Sequence, residues 1–420
     1  MKRREFLKNT ALLASISALP INAKINQKRV VIVGGGFTGV TCAKYLKMWG
    51  GSDIEVILVD EDLNYVSPIL SNLVINNIRS INDLTFTYKG VISRGVKFIN
   101  AKVSDVDTNK KYIILDNKKL YYDKLVLAPG IDFKYTNKYD TNKIPHAWIA
   151  GRQTEILKSG IENLKNNDTF IMTIPKAPYR CPPGPYERAC VVADYLKNVK
   201  RMNVEVVVFD ENPDVIVEKD VFKAKFREYG IKYYPNSKVT KVDDKQNRIL
   251  VNNRWVRGDF INVIPNQKAA EIIFNTKVNE GDFAPVDMRS FESTLKKDVY
   301  IIGDSHKSNI PKAGHIGNGE AKICADAILR DFYNYPLMKD IKLNSACYSP
   351  VSTYEASWLA VVFKYDKNKK MMVKASNRYP FSSKPSRRNF KDMFNWAGNL
   401  FSDTFSWFLF FYLLYLLISK

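Results

Sequence analysis

The feature that most constrains this 420-residue chain lies close to its start. Residues 28–39 read KRVVIVGGGFTG, a β-branched apolar run that ends in Gly34-x-Gly36-x-x-Gly39. A helical pattern follows through Val40, Ala43 and Leu46, and a second apolar run, 54–59, ends at Asp60. Strand, glycine turn, helix and strand ending in an acid, within about 30 residues, is the pattern of a dinucleotide-binding βαβ unit. Gly34 permits the tight turn, Gly36 lets backbone approach a pyrophosphate, and Gly39 lets the helix pack against the strand. The helix N-terminus offers unpaired N–H groups and a positive dipole end to phosphate. Asp60 can accept from ribose hydroxyls, and its charge disfavours a 2′-phosphate.

Two later segments indicate which dinucleotide. Residues 122–130 (YDKLVLAPG) and 298–304 (DVYIIGD) are buried-type strands ending in Ala128-Pro129-Gly130 and Gly303-Asp304. Both resemble the accessory motifs of flavoproteins with two dinucleotide-binding domains, the glutathione-reductase-like class. That resemblance implies an α/β fold of two Rossmann-type domains and FAD as cofactor, with Asp304 on the ribityl chain. The second unit departs from the pattern. Its strand, 169–174 (TFIMTI), runs into PKAPYRCPPGPYERAC rather than a glycine motif. Proline has no N–H to offer a phosphate, so no NAD(P)H site is expected.

Five cysteines occur: Cys42, Cys181, Cys190, Cys324 and Cys347. Cys42, Cys190 and Cys324 fall in helical patterns and read as small core side chains. Cys181 sits beside Arg180 at the C-terminal end of a strand, where α/β sheets place ligands, and a basic neighbour lowers a thiol pKa. Spacing alone does not pair the cysteines. The segments VVIVGGGFTGVTCAKYLK (30–47), IPHAWIAGRQT (144–154), YRCPPGPYERA (179–189) and NSACYSP (344–350) resemble the flavoprotein subunit of flavocytochrome c sulfide dehydrogenase. The likeness runs from about Lys28 to Phe405, and sulfide:quinone oxidoreductases are related. It implies a redox-active Cys181–Cys347 disulfide beside the flavin. Hydrosulfide would attack it by thiol–disulfide exchange, and the freed thiolate, placed at Cys347, would pass two electrons to FAD. Glu187 matches the family's proton-handling acid, and Arg180 would draw in the anion. Tyr186 and Arg188 read as structural. The cofactor set implied is Gly34, Gly35, Gly36, Phe37, Thr38, Gly39, Asp60, Val103, Ala128, Pro129, Gly130, Gly303, Asp304, Lys312 and Gly314. Pro68 stands where members carry the cysteine that links FAD, so the flavin is expected to be non-covalent.

The two ends carry addresses rather than chemistry. Residues 1–23 combine a basic start containing Arg3-Arg4, ten apolar residues and a small-residue site at Ala23. This resembles a twin-arginine export signal and implies a periplasmic protein. Residues 407–418 (WFLFFYLLYLLI) are uninterruptedly apolar; as a helix they would reach about 18 Å, short of a bilayer's hydrocarbon core. The stretch 394–405 could lengthen that segment, with Trp396 and Trp407 as interface anchors. Ten Lys/Arg lie in 364–391, so attachment to the outer face of the cytoplasmic membrane is expected.

The excess of 64 Lys/Arg over 43 Asp/Glu favours an anionic partner, but no nucleic-acid module accompanies it. The absence of Cys-x-x-Cys-His excludes a c-type haem of the chain's own, and only three histidines argue against a His-rich metal centre. The acceptor implied is a c-type dihaem cytochrome subunit; the apolar tail admits a membrane quinone instead. The domain boundaries expected are 24–140 with 263–337 for FAD, 141–262 for the second unit, 338–405 for a flavin and partner interface, and 406–420 for the tail.

Overall fold

The computed structural model describes residues 27–406. The expected export signal and the apolar run 407–418 lie outside the described residues.

The first sheet is parallel and five-stranded, in the order Val299–Ile301, Lys124–Leu127, Lys28–Val33, Ile54–Asp60, Lys97–Asn100. Its central strands are continuous apolar runs because both faces are covered. On one face lie the helices Phe37–Gly50 and Gly314–Phe332, which meet the sheet through Val40, Leu46, Ile328 and Cys324. On the other face, a three-stranded antiparallel sheet (Val103–Asp107, Tyr112–Leu115, Lys118–Tyr121) places Val106, Ile113 and Leu115 against Ile57 and Leu125.

The second sheet is also parallel, in the order Lys232–Tyr234, Glu205–Asp210, Thr169–Ile174, Phe260–Val263. It packs against the helices Arg152–Glu162, Gly184–Asp194 and Lys219–Tyr229. The strands Ile131–Lys134 and Asn266–Ala269 pair antiparallel where the chain passes from one α/β unit to the other and back. This is the mixed α/β architecture with two Rossmann-type units expected from the glycine motif and its accessory strands.

A three-stranded antiparallel sheet follows (Lys342–Pro350, Ala356–Asp366, Met371–Lys374), then the helix Arg387–Phe405. Ser386 caps that helix, accepting the Asn389 N–H at 3.1 Å. The helix returns to the first unit. Phe405 packs on Phe37, Tyr65 and Phe86, and the buried Lys44 ammonium donates to the carbonyls of Asp403 and Ser406 at 2.6 Å. A cation there opposes the negative end of the helix dipole. The structure therefore corrects one expectation: residues 394–405 do not extend an apolar tail. They alternate core and exposed positions, with Ala397, Leu400 and Phe405 buried. Trp396 turns inward onto His315 and Tyr348 instead of anchoring at an interface. No helix among the described residues is long and apolar enough to cross a membrane.

Candidate active site

The glycine turn is built by crowding. Gly34 has φ +107°, and a Cβ there would collide with the Ala128 carbonyl. A Cβ on Gly39 would stand inside the envelope of the Gly34 carbonyl oxygen, so the helix can approach the strand only through glycine. Gly35, silent in the motif, is held against the Tyr88 ring. At Gly36 the nearest neighbour of a Cβ would be the Tyr65 ring at 3.6 Å, an ordinary contact, so a methyl would fit there in the empty cavity. The Phe37–Gly50 helix begins there with no side-chain cap. Its first amides are thus left for a ligand. The Asp60 carboxylate accepts the Gly35 N–H, and the Asp62 N–H at 2.8 Å. Burial raises its pKa, and those amides pull it back.

From this turn a cavity of about 720 Å³ runs past Ala128, Pro129 and Gly130, and past Gly303 and Asp304, to Cys181 and Cys347. Gly34, Gly36, Phe37, Thr38, Asp60, Gly314 and Glu187 line it as well. Gly35 and Gly39 stand behind the wall. Two residues of the expected cofactor set lie elsewhere. Val103 opens the Val103–Asp107 strand and packs on the sheet's far face. Lys312 turns its ammonium away, donating to the His306 carbonyl at 2.7 Å over the Phe283 ring. Only its carbonyl serves the site, as below. Burial lowers the Lys312 pKa, against the pull of Asp304 and Glu320. Burial raises that of Asp304, against Arg180 and Lys312.

The turn after Thr169–Ile174, where a nicotinamide-binding unit would carry its glycines, carries Cys181. Its φ is +57°, a conformation a side chain adopts only when its surroundings impose it. The Cys181 N–H donates to the Lys312 carbonyl at 2.7 Å, and its carbonyl accepts the Gly184 N–H at 2.9 Å. Cys347 reaches the same cavity from the Lys342–Pro350 strand. Both are free thiols in this structure. The basic neighbour does not lower the Cys181 pKa as expected. Burial pushes the thiol up to about 12, Glu187 adds to this, and Arg180 offsets only part. Burial likewise holds Cys347 well above the usual thiol range. Cys42, Cys190 and Cys324 are fully buried in helices.

Glu187, on the Gly184–Asp194 helix, is 8% exposed. Burial pushes its carboxyl up to about 8; Glu218 contributes, while the Asn72 hydrogen bond and Arg188 oppose. Arg188 is framework: its guanidinium donates to Asn72 Oδ1, Asn262 Oδ1 and the carbonyls of His146 and Ala147. Tyr186 donates to Asp210 Oδ2 at 2.8 Å. Arg180 lines the cavity and donates to the Trp148 carbonyl.

Sequence reasoning missed Asn72, Tyr88 and Trp148. Trp148 lies in the segment 144–154 that carries the family resemblance, but no role is assigned to it there. The Trp148 and Trp396 rings line this cavity, while their indole N–H groups are buried away from the open space with no partner among the described residues.

Fold and site together define a flavin-dependent oxidoreductase with two dinucleotide-domain-type units. Residues 28–148 match the family model of pyridine nucleotide-disulphide oxidoreductases. Residues 154–265, which hold Cys181 and Glu187, match that of the central part of the flavoprotein chain of sulfide dehydrogenase (flavocytochrome c). Mouse mitochondrial sulfide:quinone oxidoreductase is 20% identical over 319 residues, 68% of this chain and 67% of that protein. The sulfide:quinone oxidoreductase of the hyperthermophilic bacterium Aquifex aeolicus superposes with a TM-score of 0.76 at 18% identity, covering 90% of this chain and 91% of that one. NDH2 of Plasmodium falciparum superposes with a TM-score of 0.67 at 12% identity, covering 90% and 97%. The chain is thereby related to sulfide-oxidising flavoproteins.

Proposed function

We propose that this protein oxidises hydrosulfide to zero-valent sulfur with non-covalent FAD and a redox-active Cys181–Cys347 pair. The observation that carries the proposal is the meeting of both cysteines and the buried Glu187 in one cavity with the glycine cradle. The residues present fit a flavin. The cradle offers uncapped helix amides to a pyrophosphate, Asp60 stands by for a ribose and Asp304 for a ribityl chain. When bound, the flavin supplies a two-electron acceptor beside the cysteines.

The chain's own residues account for the rest. Arg180 draws the hydrosulfide anion into the cavity. Attack on the oxidised pair forms a Cys181 persulfide S–S bond, breaks the Cys181–Cys347 bond and leaves the electron pair on Cys347 as thiolate. A second hydrosulfide takes the outer sulfur away as a polysulfide and leaves the Cys181 thiolate. Loss of two electrons then re-forms the disulfide. Glu187 handles protons in the cavity that both cysteines line, and its raised pKa suits exchange near neutrality.

The acceptor we favour is a c-type cytochrome partner on the periplasmic side, because the flavocytochrome family model matches the very segment that carries Cys181 and Glu187. A membrane quinone is the second reading. It is favoured by the near full-length likeness to sulfide:quinone oxidoreductases and by the tryptophans and aliphatic side chains on the cavity wall. Sulfide oxidation assayed with cytochrome c or with a water-soluble quinone tests both: one of them is reduced, and Cys181→Ser abolishes the reduction. Failure of both acceptors with sulfide present would refute the proposal.

A further inference from the structure

Asn72 belongs to the short helix Asn72–Ile75 of the first unit, and Glu187 to the helix Gly184–Asp194 of the second. The Asn72 side chain bridges them. Its Nδ2 donates to Glu187 Oε1 at 2.8 Å and to the Gly184 carbonyl at 3.1 Å, while its Oδ1 accepts from Arg188 Nε at 2.9 Å. Asn72 is 6% exposed and lines the cavity beside Glu187.

The other groups around Glu187 do not replace that donor. Arg188, on the same helix, spends its guanidinium on Asn72, Asn262 and two carbonyls, so its charge acts from a distance. Glu218, at the start of the Lys219–Tyr229 helix, is a like charge engaged with Ser349 and Ser357. Cys181 in the preceding loop, Cys347 on the Lys342–Pro350 strand and Cys190 on the same helix are sulfur groups whose thiol pKa burial raises, so none adds an ionised neighbour or a strong donor. An aspartate at position 72 would accept from Arg188 but have nothing to give Glu187. An asparagine does both at once.

We propose that Asn72 is the positioning residue for the proton-handling carboxyl, fixing Glu187 toward the cavity and stabilising its ionised form by direct donation. This rests on the proton role assigned to Glu187 above. The test follows the carboxyl itself. The flavin-loaded full chain is titrated with pH by infrared difference spectroscopy, with Glu187→Gln identifying the band. Asn72→Leu is the informative variant, since it removes the donor at similar volume and adds no charge. Asn72→Asp removes the donor and keeps the Arg188 acceptor. The Glu187 midpoint is expected to rise by about one unit or more in Asn72→Leu, because a hydrogen bond to a charged group is lost, and further in Asn72→Asp, where a like charge is added. The pH profile of sulfide-driven flavin reduction shifts in the same direction. A midpoint unmoved in Asn72→Leu overturns the inference, as does a fall. If the midpoint rises while sulfide fails to reduce the wild-type flavin, the positioning role stands and the sulfide reading falls.

Discussion

The amide of Cys181 donates to the carbonyl of Lys312 across 2.7 Å, joining the proline-rich loop of the second unit to the loop that precedes the Gly314–Phe332 helix. This bond, with the Gly184 N–H on the Cys181 carbonyl, holds the cysteine at φ +57°. The thiol's place is therefore set by backbone, not by the thiol's own contacts, so the sulfur can be changed without moving the loop.

Cys181→Ser and Cys347→Ser should each retain FAD and, compared with the wild type under reducing conditions, its melting temperature. Sulfide-driven flavin reduction should fall by several orders of magnitude, the scale of removing a nucleophile. Dithionite reduction of the flavin should be unaffected. Stopped-flow absorbance of the loaded variants checks all of this; near-wild-type bleaching in either variant contradicts the disulfide chemistry.

The glycines should separate by role. Gly39→Ala drives a methyl into the Gly34 carbonyl, and backbone cannot yield cheaply. A loss of about 1–3 kcal/mol or more is expected, with poor flavin loading. Gly36→Ala meets only the Tyr65 ring at 3.6 Å, so the apoprotein should melt as the wild type does. Its methyl instead projects where the cofactor's phosphates belong, and flavin retention on dilution should drop. Thermal melts of apo and loaded protein read the difference.

Glu187 gives a pH-dependent stability of known sign. Its carboxyl ionises near 8 when folded, against 4.5 ordinarily. Between those values the folded chain binds the extra proton, so this group makes stability fall as pH rises through the window. Glu187→Gln removes the penalty. It should melt like wild type near pH 4.5 and be more stable above pH 8, by an amount on the order of a few kcal/mol. Its rate profile for sulfide oxidation should lose the ionisation near 8.

Pro68 lines the cavity and offers no sulfur to the flavin. Denaturing the loaded protein in acid or urea should release all the flavin to the supernatant and leave a colourless pellet. Yellow, flavin-bearing peptide after proteolysis would show attachment at another residue.

The sequence made the first unit legible because its constraints are local. Gly34, Gly36 and Gly39 act on atoms a few residues away, and Asp60 marks the end of the next strand. Ala128 and Gly303 were legible as strand ends. Lys312 was misjudged because the direction of a long side chain depends on tertiary neighbours, here the His306 carbonyl and the Phe283 ring. Val103 falls on the far face of the sheet, which no period in the sequence announces. The Cys181 pKa ran opposite to the simple rule because burial outweighs one arginine, and burial is a property of the assembled cavity. Asn72 was invisible because its partners lie more than 100 residues away. Trp396 looked like a membrane anchor only until its helix was seen folded back on the first unit.

The central claim is that sulfide reduces a flavin through Cys181 and Cys347. Anaerobic stopped-flow mixing of the FAD-loaded protein with sulfide tests it most directly. The account predicts rapid bleaching of the oxidised flavin in the wild type, no bleaching in Cys347→Ser, and recovery of the oxidised spectrum when cytochrome c or a quinone is then added. A wild-type flavin that stays oxidised in excess sulfide would contradict it.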